Sequence, residues 1–191
     1  MARRKNHPMG SAFLSKIKKQ YIKVFILLLI LLITLVRFKK IFLWLVLSFG
    51  AAFIKYWRCR YYGHIPIVFE PVLFVATVLT RGYGIKWSLL FLLGPNIIFE
   101  LMSGGMQFAL FIGFIQFSFY QVINLLLFNY SIVYVGILIC LIDIVVAHLQ
   151  NTYIWGLPPF QLIYPVSNFV THLIYFTVLG EPVVALLQAV S

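Results

Sequence analysis

An all-α fold, a polytopic membrane bundle of six to seven helical spans, is the architecture that two observations predict. The chain has 191 residues, of which 63% are hydrophobic and only 10% charged, against about 45–50% apolar and about 25% charged in ordinary soluble domains. A water-soluble domain of this size could not hide that much apolar surface. Uncharged stretches such as Trp87–Phe99 and Leu101–Ile142 are the second observation. A span needs roughly 20 largely apolar residues to cross about 30 Å of hydrocarbon, and the second stretch is long enough for two.

At the start of the chain, Met1–Gln20 carries Arg3, Arg4, Lys5, Lys16, Lys18 and Lys19, and is expected to be a cytoplasmic or interfacial segment preceding one transmembrane domain over residues 21–191. Tyr21–Val36 and Ile41–Ile54 are apolar pieces separated by Arg37-Phe38-Lys39-Lys40 and closed by Lys55, Arg58 and Arg60. They read as two short spans with snorkelling basic flanks, or as one span and an interfacial helix. The favoured reading is two spans. The apolar run Val24–Val36 ends in basic residues without a small-residue cleavage pattern, so it is expected to be retained and not removed as a signal peptide.

Five further spans are expected at Pro66–Thr80, Trp87–Leu101, Met106–Phe128, Ser131–Gln150 and Gln161–Gln188. Arg81-Gly82-Tyr83-Gly84, Ser103-Gly104-Gly105 and Asn129-Tyr130 supply the breaks. Such short connections make consecutive helices antiparallel neighbours. Asn151–Phe160, with Trp155, Gly156 and the pair Pro158-Pro159, is the one long connection. Its aromatics suit a membrane interface and its prolines a lid or re-entrant turn.

The net charge of +11 is unevenly spread: every Lys and Arg lies at or before Lys86, and Glu70, Glu100, Asp143 and Glu181 all lie after Tyr62. The basic amino-terminal third is expected to fix topology in a plasma membrane and to meet anionic lipid headgroups. Nucleic acid is not an expected partner, because no recognition motif accompanies the charge. Cys59 and Cys140 have neither zinc-site nor disulfide-framework spacing.

An ionisable group inside a span is costly and is therefore a functional candidate. Asp143, in Cys140-Leu-Ile-Asp143-Ile-Val-Val, stands out. His148 is five residues on, about 140° around a helix, so the two do not share a face. In the last span Tyr164, Asn168, Thr171, His172 and Tyr175 fall close to one helical face. That face is a pocket wall or an interhelical hydrogen-bonding seam. Asn96, Glu100 and Ser103 share another, near a span end where Glu100 could reach the headgroups. Gln107, Ser118 and Gln121 align on the next helix, with Gln116 on the opposite side. The candidate ligand-binding residues are Gln121, Asp143, Asn168, Thr171 and His172.

No His-Glu-x-x-His, Gly-x-Ser-x-Gly or phosphate-binding loop occurs, and no short-spaced carboxylate pair, so neither enzymatic activity nor a cofactor or metal is expected. Any ATP-driven step would need a separate ATPase.

The stretch Pro71-Val-Leu-Phe-Val-Ala-Thr-Val-Leu-Thr-Arg81-Gly-Tyr-Gly84, then Trp87–Phe99, then Glu100-Leu-Met-Ser103-Gly104-Gly105 resembles the middle of MreD-type rod-shape-determining proteins. It is also similar to the substrate-binding S components of energy-coupling-factor transporters. It departs from the rod-shape pattern at Glu100, where Asp is usual, and at Gly94-Pro95. The second resemblance implies a substrate-binding or transport subunit that docks on a membrane-protein partner, with Ser48, Gly50, Ala51 and Ala52 as the nearest equivalent of a small-residue docking stripe. The first implies a non-enzymatic membrane scaffold.

Overall fold

The structure, a computed structural model, describes residues 38–63, 68–104, 107–156 and 163–191, without the side chains of Gln107 and Ala109. The expected basic segment Met1–Gln20, the apolar piece Tyr21–Val36 and the Pro158-Pro159 turn lie outside the described residues. The chain divides into two compact units, Met1–Phe42 and Leu43–Ser191. The second unit is a helical bundle, and its first helix is the part from Leu43 to Tyr61 of a helix that begins at Lys39.

Six helices and no strand occur among the described residues: α1 (Lys39–Tyr61), α2 (Val72–Tyr83), α3 (Ile85–Met102), α4 (Gln107–Leu126), α5 (Ile132–Ile154) and α6 (Ile163–Val190). Four of them, α1, α3, α5 and α6, are long and apolar enough to cross a membrane, the mark of a multi-pass membrane protein. Their outward faces and that of α4 carry Phe49, Phe53, Leu93, Ile98, Phe111, Phe119, Leu138, Val145 and Val170. Apolar exposure on this scale is tolerable against lipid and ruinous against water.

The helices alternate in direction. Asp143 of α5 meets Asn168 of α6 while Ser131 meets Glu181, so residue numbers rise on one helix as they fall on the other. Helices α2 and α4 run parallel: Leu73 near the start of α2 borders the same space as Phe117 of α4, and Arg81 near its end reaches the Leu127 and Tyr130 carbonyls beyond the end of α4. Helices α1 and α3 run parallel, with the Trp44 indole donating to the Trp87 carbonyl at 2.9 Å and Lys55 reaching Asn96 and Glu100 further along. Thus α1, α3 and α5 run one way, and α2, α4 and α6 the other.

Helix α2 is the axis of the bundle. Its sequence, VLFVATVLTRGY, is apolar all round, and a helix of that kind has no face to give to solvent. Every residue from Val72 to Arg81 is buried, as is Tyr83. The threonines satisfy their hydroxyls locally, Thr77 donating to the Leu73 carbonyl at 2.8 Å and Thr80 lying 3.0 Å from that of Ala76. Gly84, at φ 93°, ends the helix by returning its N–H to the Leu79 and Thr80 carbonyls, a left-handed stop that glycine adopts without strain. Twelve residues rise only about 18 Å. The neighbours of α2 are up to more than twice as long, so space is left beyond each of its ends.

Several expectations change here. The turn read at Arg81-Gly82-Tyr83-Gly84 contracts to Gly84 alone, because Arg81, Gly82 and Tyr83 are helical and Arg81 is buried. Arg81 fills the space beyond one end of α2: Nε donates to Asn124 Oδ1 at 2.7 Å, and the two terminal nitrogens donate to the carbonyls of Leu127, Phe128 and Tyr130. These carbonyls follow the end of α4, where the helix ladder supplies no partners, and of the three Leu127 also accepts from the Tyr130 N–H at 3.1 Å. The apolar piece expected to stop at Ile54 continues as helix to Tyr61, because Lys55 pairs with Glu100 and Arg58 with Glu70. Glu100 therefore points to Lys55 and not to the headgroups. Ser48, Ala51 and Ala52 are buried within the bundle, so those three face inward and only Gly50 of the supposed docking stripe is exposed.

Close crossings depend on glycine. A Cβ on Gly136 of α5 would lie 2.3 Å from the Phe176 ring of α6, which is fully buried and has nowhere to go. Small residues at such crossings let helix backbones approach. Gly136→Ala is expected to destabilise the protein by about 1–3 kcal/mol through overpacking, read as a lowered unfolding midpoint in detergent. Gly113→Ala, with nothing within 4 Å of its Cβ, is the control and should leave the midpoint in place.

Candidate functional site

The space beyond the other end of α2 is a cavity of about 220 Å³. Its lining comes from α1 (Arg58), the extended residues Val68 and Glu70, the start of α2 (Val72, Leu73), α4 (Phe117), α5 (Asp143, Ala147, Asn151) and α6 (Tyr164, Pro165, Asn168, His172). Helix direction gives it depth. Arg58, Asn151 and Tyr164 lie near the ends of their helices and form the mouth, whereas Asp143 is about 12 Å further in along α5 and His172 about as far along α6.

Asp143 is nearly buried, at 8% exposed, and it receives three hydrogen bonds. Gln116 Nε2 donates to Oδ1 at 2.8 Å, the Tyr120 hydroxyl to the same oxygen at 3.1 Å, and Asn168 Nδ2 to Oδ2 at 3.2 Å. Gln116 is oriented in turn, its Oε1 accepting from Gln150 Nε2 at 2.8 Å. All three groups that bond the carboxylate are neutral. Glu70 and Glu100 have Arg58 and Lys55 as ion partners; Asp143 has only dipoles.

Helix α6 presents the rest of its polar face to the same region. His172 Nδ1 lies 2.8 Å from the Asn168 carbonyl. Because a backbone carbonyl can only accept, Nδ1 holds the proton and the neutral ring keeps an accepting Nε2. That Nε2 and Asn168 Oδ1 are buried without a hydrogen-bond partner among the described residues. Thr171 donates to the Val68 carbonyl at 2.6 Å, Tyr175 to the Phe69 carbonyl at 3.0 Å, and Ser167 Oγ accepts from the Val68 N–H at 3.0 Å. These bonds dock residues 68–70 on α6 and so set Glu70 against Arg58. Two wide π-helical turns border the site, Gln150–Ile154 after Ala147 and Tyr175–Leu179 after His172. Such turns recur at functional sites because they break the regular ladder and re-aim side chains.

Of the five residues singled out from the sequence, Asp143, Asn168 and His172 line the cavity, and Thr171 holds part of its wall in place without lining it. Gln121 lies elsewhere. It is fully buried against α2, where its Oε1 is 2.9 Å from the Thr80 hydroxyl. The glutamine that reaches Asp143 is Gln116, the one on the opposite side of α4. Sequence reasoning does not reach Arg58, Glu70 and Asn151 as site residues. Arg58 has the look of the edge of a span, and Glu70 has only the Pro after it as a signal. Tyr120 carries no sequence signal, since it is one aromatic among 34.

Among the described residues no three His, Cys, Asp or Glu side chains come together as a metal site. Chemically, the arrangement can hold a small polar molecule between a carboxylate floor and a mouth closed by an ion pair. Comparison of this chain with protein-family models, with curated proteins and with solved structures finds no match.

Proposed function

We propose that this protein is a small membrane-embedded binding or transport subunit, which takes a polar solute into the cavity at the start of α2 and works with a partner membrane protein. The observation that carries this reading is Asp143. A carboxylate within a span costs about 2.5–3.5 kcal/mol at the helix centre on insertion scales, and a seam that only glued helices together would be served by a neutral amide. Here the carboxylate borders a cavity, with two acceptors near it that have no hydrogen-bond partner among the described residues. The two shorter helices α2 and α4, counted with the four long ones and with Tyr21–Val36, bring the expected total to six or seven spans in the plasma membrane. A separate ATPase would supply any energy, as in the energy-coupling-factor systems that the sequence resembles.

Thermal unfolding of the purified protein in detergent, against a panel of vitamins, small polar solutes, metal ions and lipids, tests this reading. A binding subunit is stabilised by its solute in proportion to the logarithm of the ratio of concentration to Kd. At least one compound is expected to raise the midpoint by several degrees, and Ala147→Trp, which fills the cavity from its wall, should abolish the shift. If no compound moves the midpoint while a fixed membrane partner co-purifies, the scaffold reading replaces this one.

A further inference from the structure

We infer that the solute is a small organic cation bearing N–H groups, such as a protonated primary amine, seated with its charged head against Asp143; this rests on the cavity being a binding site at all. The charges that border the cavity are Arg58, Glu70 and Asp143. Arg58 and Glu70 cancel in their ion pair, and Glu70 also sits at the positive end of the α2 dipole, where a carboxylate is stabilised. Asp143 is left as the uncompensated charge. It is negative, and it lies deep.

The hydrogen-bonding groups around it agree in sign. Asn168 must direct Nδ2 at the carboxylate, which can only accept, so its unpartnered atom is the acceptor Oδ1. His172 directs Nδ1–H at a backbone carbonyl, so its unpartnered atom is the acceptor Nε2. Asn168 and His172 are one helical turn apart on α6, on the face that meets Asp143. Three acceptors with a net charge of minus one match an ammonium, which has three N–H donors and no acceptor. An anion would meet two neutral lone-pair atoms and a carboxylate. Arg58 Nε is a buried donor without a hydrogen-bond partner among the described residues, and it stands with Asn151 and Tyr164 at the mouth, where donors can meet an acceptor at the far end of the solute.

A bare metal ion fits less well. Only two of the three acceptors are residue types that commonly ligate metals, and 220 Å³ far exceeds one ion. It is nevertheless below the roughly 300–1,000 Å³ of pockets for drug-sized ligands. The body of the solute would lie against Leu73, Phe117, Ala147 and Pro165, which supply apolar wall.

The test is a matched series on the full chain in detergent: n-butylamine, 1-butanol, butyrate and tetramethylammonium, with calcium and magnesium chloride as separate arms. Butylamine is expected to stabilise the protein with an apparent affinity at least tenfold tighter than butanol. Butyrate should have no effect, and tetramethylammonium, a cation without N–H groups, should fall well behind the amine. Ala147→Trp should remove the butylamine shift, and Asn168→Leu should weaken it at least fivefold if the first variant fails to fold. Equal or stronger stabilisation by butanol or butyrate, abolished by Ala147→Trp, overturns the cation assignment and leaves the binding site standing. A shift from the divalent metals alone also overturns it. A butylamine shift that survives both variants, or no shift with any compound, overturns the assignment and the binding reading together.

Discussion

Arg81→Met is expected to abolish cooperative unfolding of the purified protein or to prevent its recovery as a monodisperse species. The guanidinium is 7% exposed and bonds the Asn124 side chain and three carbonyls beyond the end of α4. Its carbon also stands 5.0 Å from the centre of the Phe128 ring. Methionine fills much of the volume and satisfies none of the acceptors. Each buried polar group left unpaired costs about 1–3 kcal/mol. The Leu127 carbonyl keeps the Tyr130 N–H, but Asn124 Oδ1 and the Phe128 and Tyr130 carbonyls would lose their bonds together, which would consume much of a total stability that is typically about 5–15 kcal/mol. Arg81→Lys keeps the charge but not the planar fork that reaches several acceptors together, so the unfolding midpoint should fall in the order wild type, Lys, Met. A methionine variant that unfolds within a degree or two of wild type would show that the carbonyls have other partners, and that the α2–α4 end does not depend on this residue.

Arg81 also marks the limit of what could be read from the chain. The helical membrane class follows from bulk composition, and α5 and α6 are placed to within a few residues, because lipid imposes a long apolar period that no soluble fold needs. A basic residue beside Gly-Tyr-Gly, by contrast, has the look of a surface turn. Only the approach of Asn124 and the Leu127–Tyr130 carbonyls turns it into an interior group. Lys55 and Arg58 read as the edge of a span for the same reason, since their partners Glu100 and Glu70 are supplied by other segments.

The site is legible in proportion to how far each residue's cost is local. Asp143 is conspicuous in any apolar helix, and Asn168 and His172 follow from 3.6-residue periodicity. That Asp143 meets Asn168 and not another residue of the stripe depends on the register of α5 against α6, which close contacts such as Gly136 on Phe176 set and periodicity does not. Helical phase likewise separates Gln116 from Gln121 without saying which side of α4 faces α5. The cavity itself arises from the short length of α2 between longer neighbours, a mismatch visible only once Arg81 and Gly84 are assigned to their places.

Asp143→Asn is the substitution in which function and stability should part company. The amide is nearly isosteric with the carboxylate. Its oxygen can still accept from Gln116 and Tyr120, and Asn168 can turn its unpartnered Oδ1 toward the new Nδ2. The network is thus kept and a buried charge is removed, so the unfolding midpoint without ligand should stay level or rise. Affinity for a cationic solute should fall roughly 10–100-fold, equivalent to about 1.4–2.8 kcal/mol of lost interaction with the charge. Asp143→Leu separates the two effects, because leucine accepts nothing and strands the Gln116, Tyr120 and Asn168 donors, which should lower the midpoint by several degrees as well as remove binding. A carboxylate kept for stability alone predicts the opposite pattern, in which the Asn variant loses stability toward the level of Leu and keeps any affinity it had. Midpoints of the three proteins, each measured with and without butylamine, decide between these outcomes. A protein that becomes no less stable when a carboxylate without an ionic partner among the described residues is neutralised, and that loses its solute at the same time, carries that charge for binding.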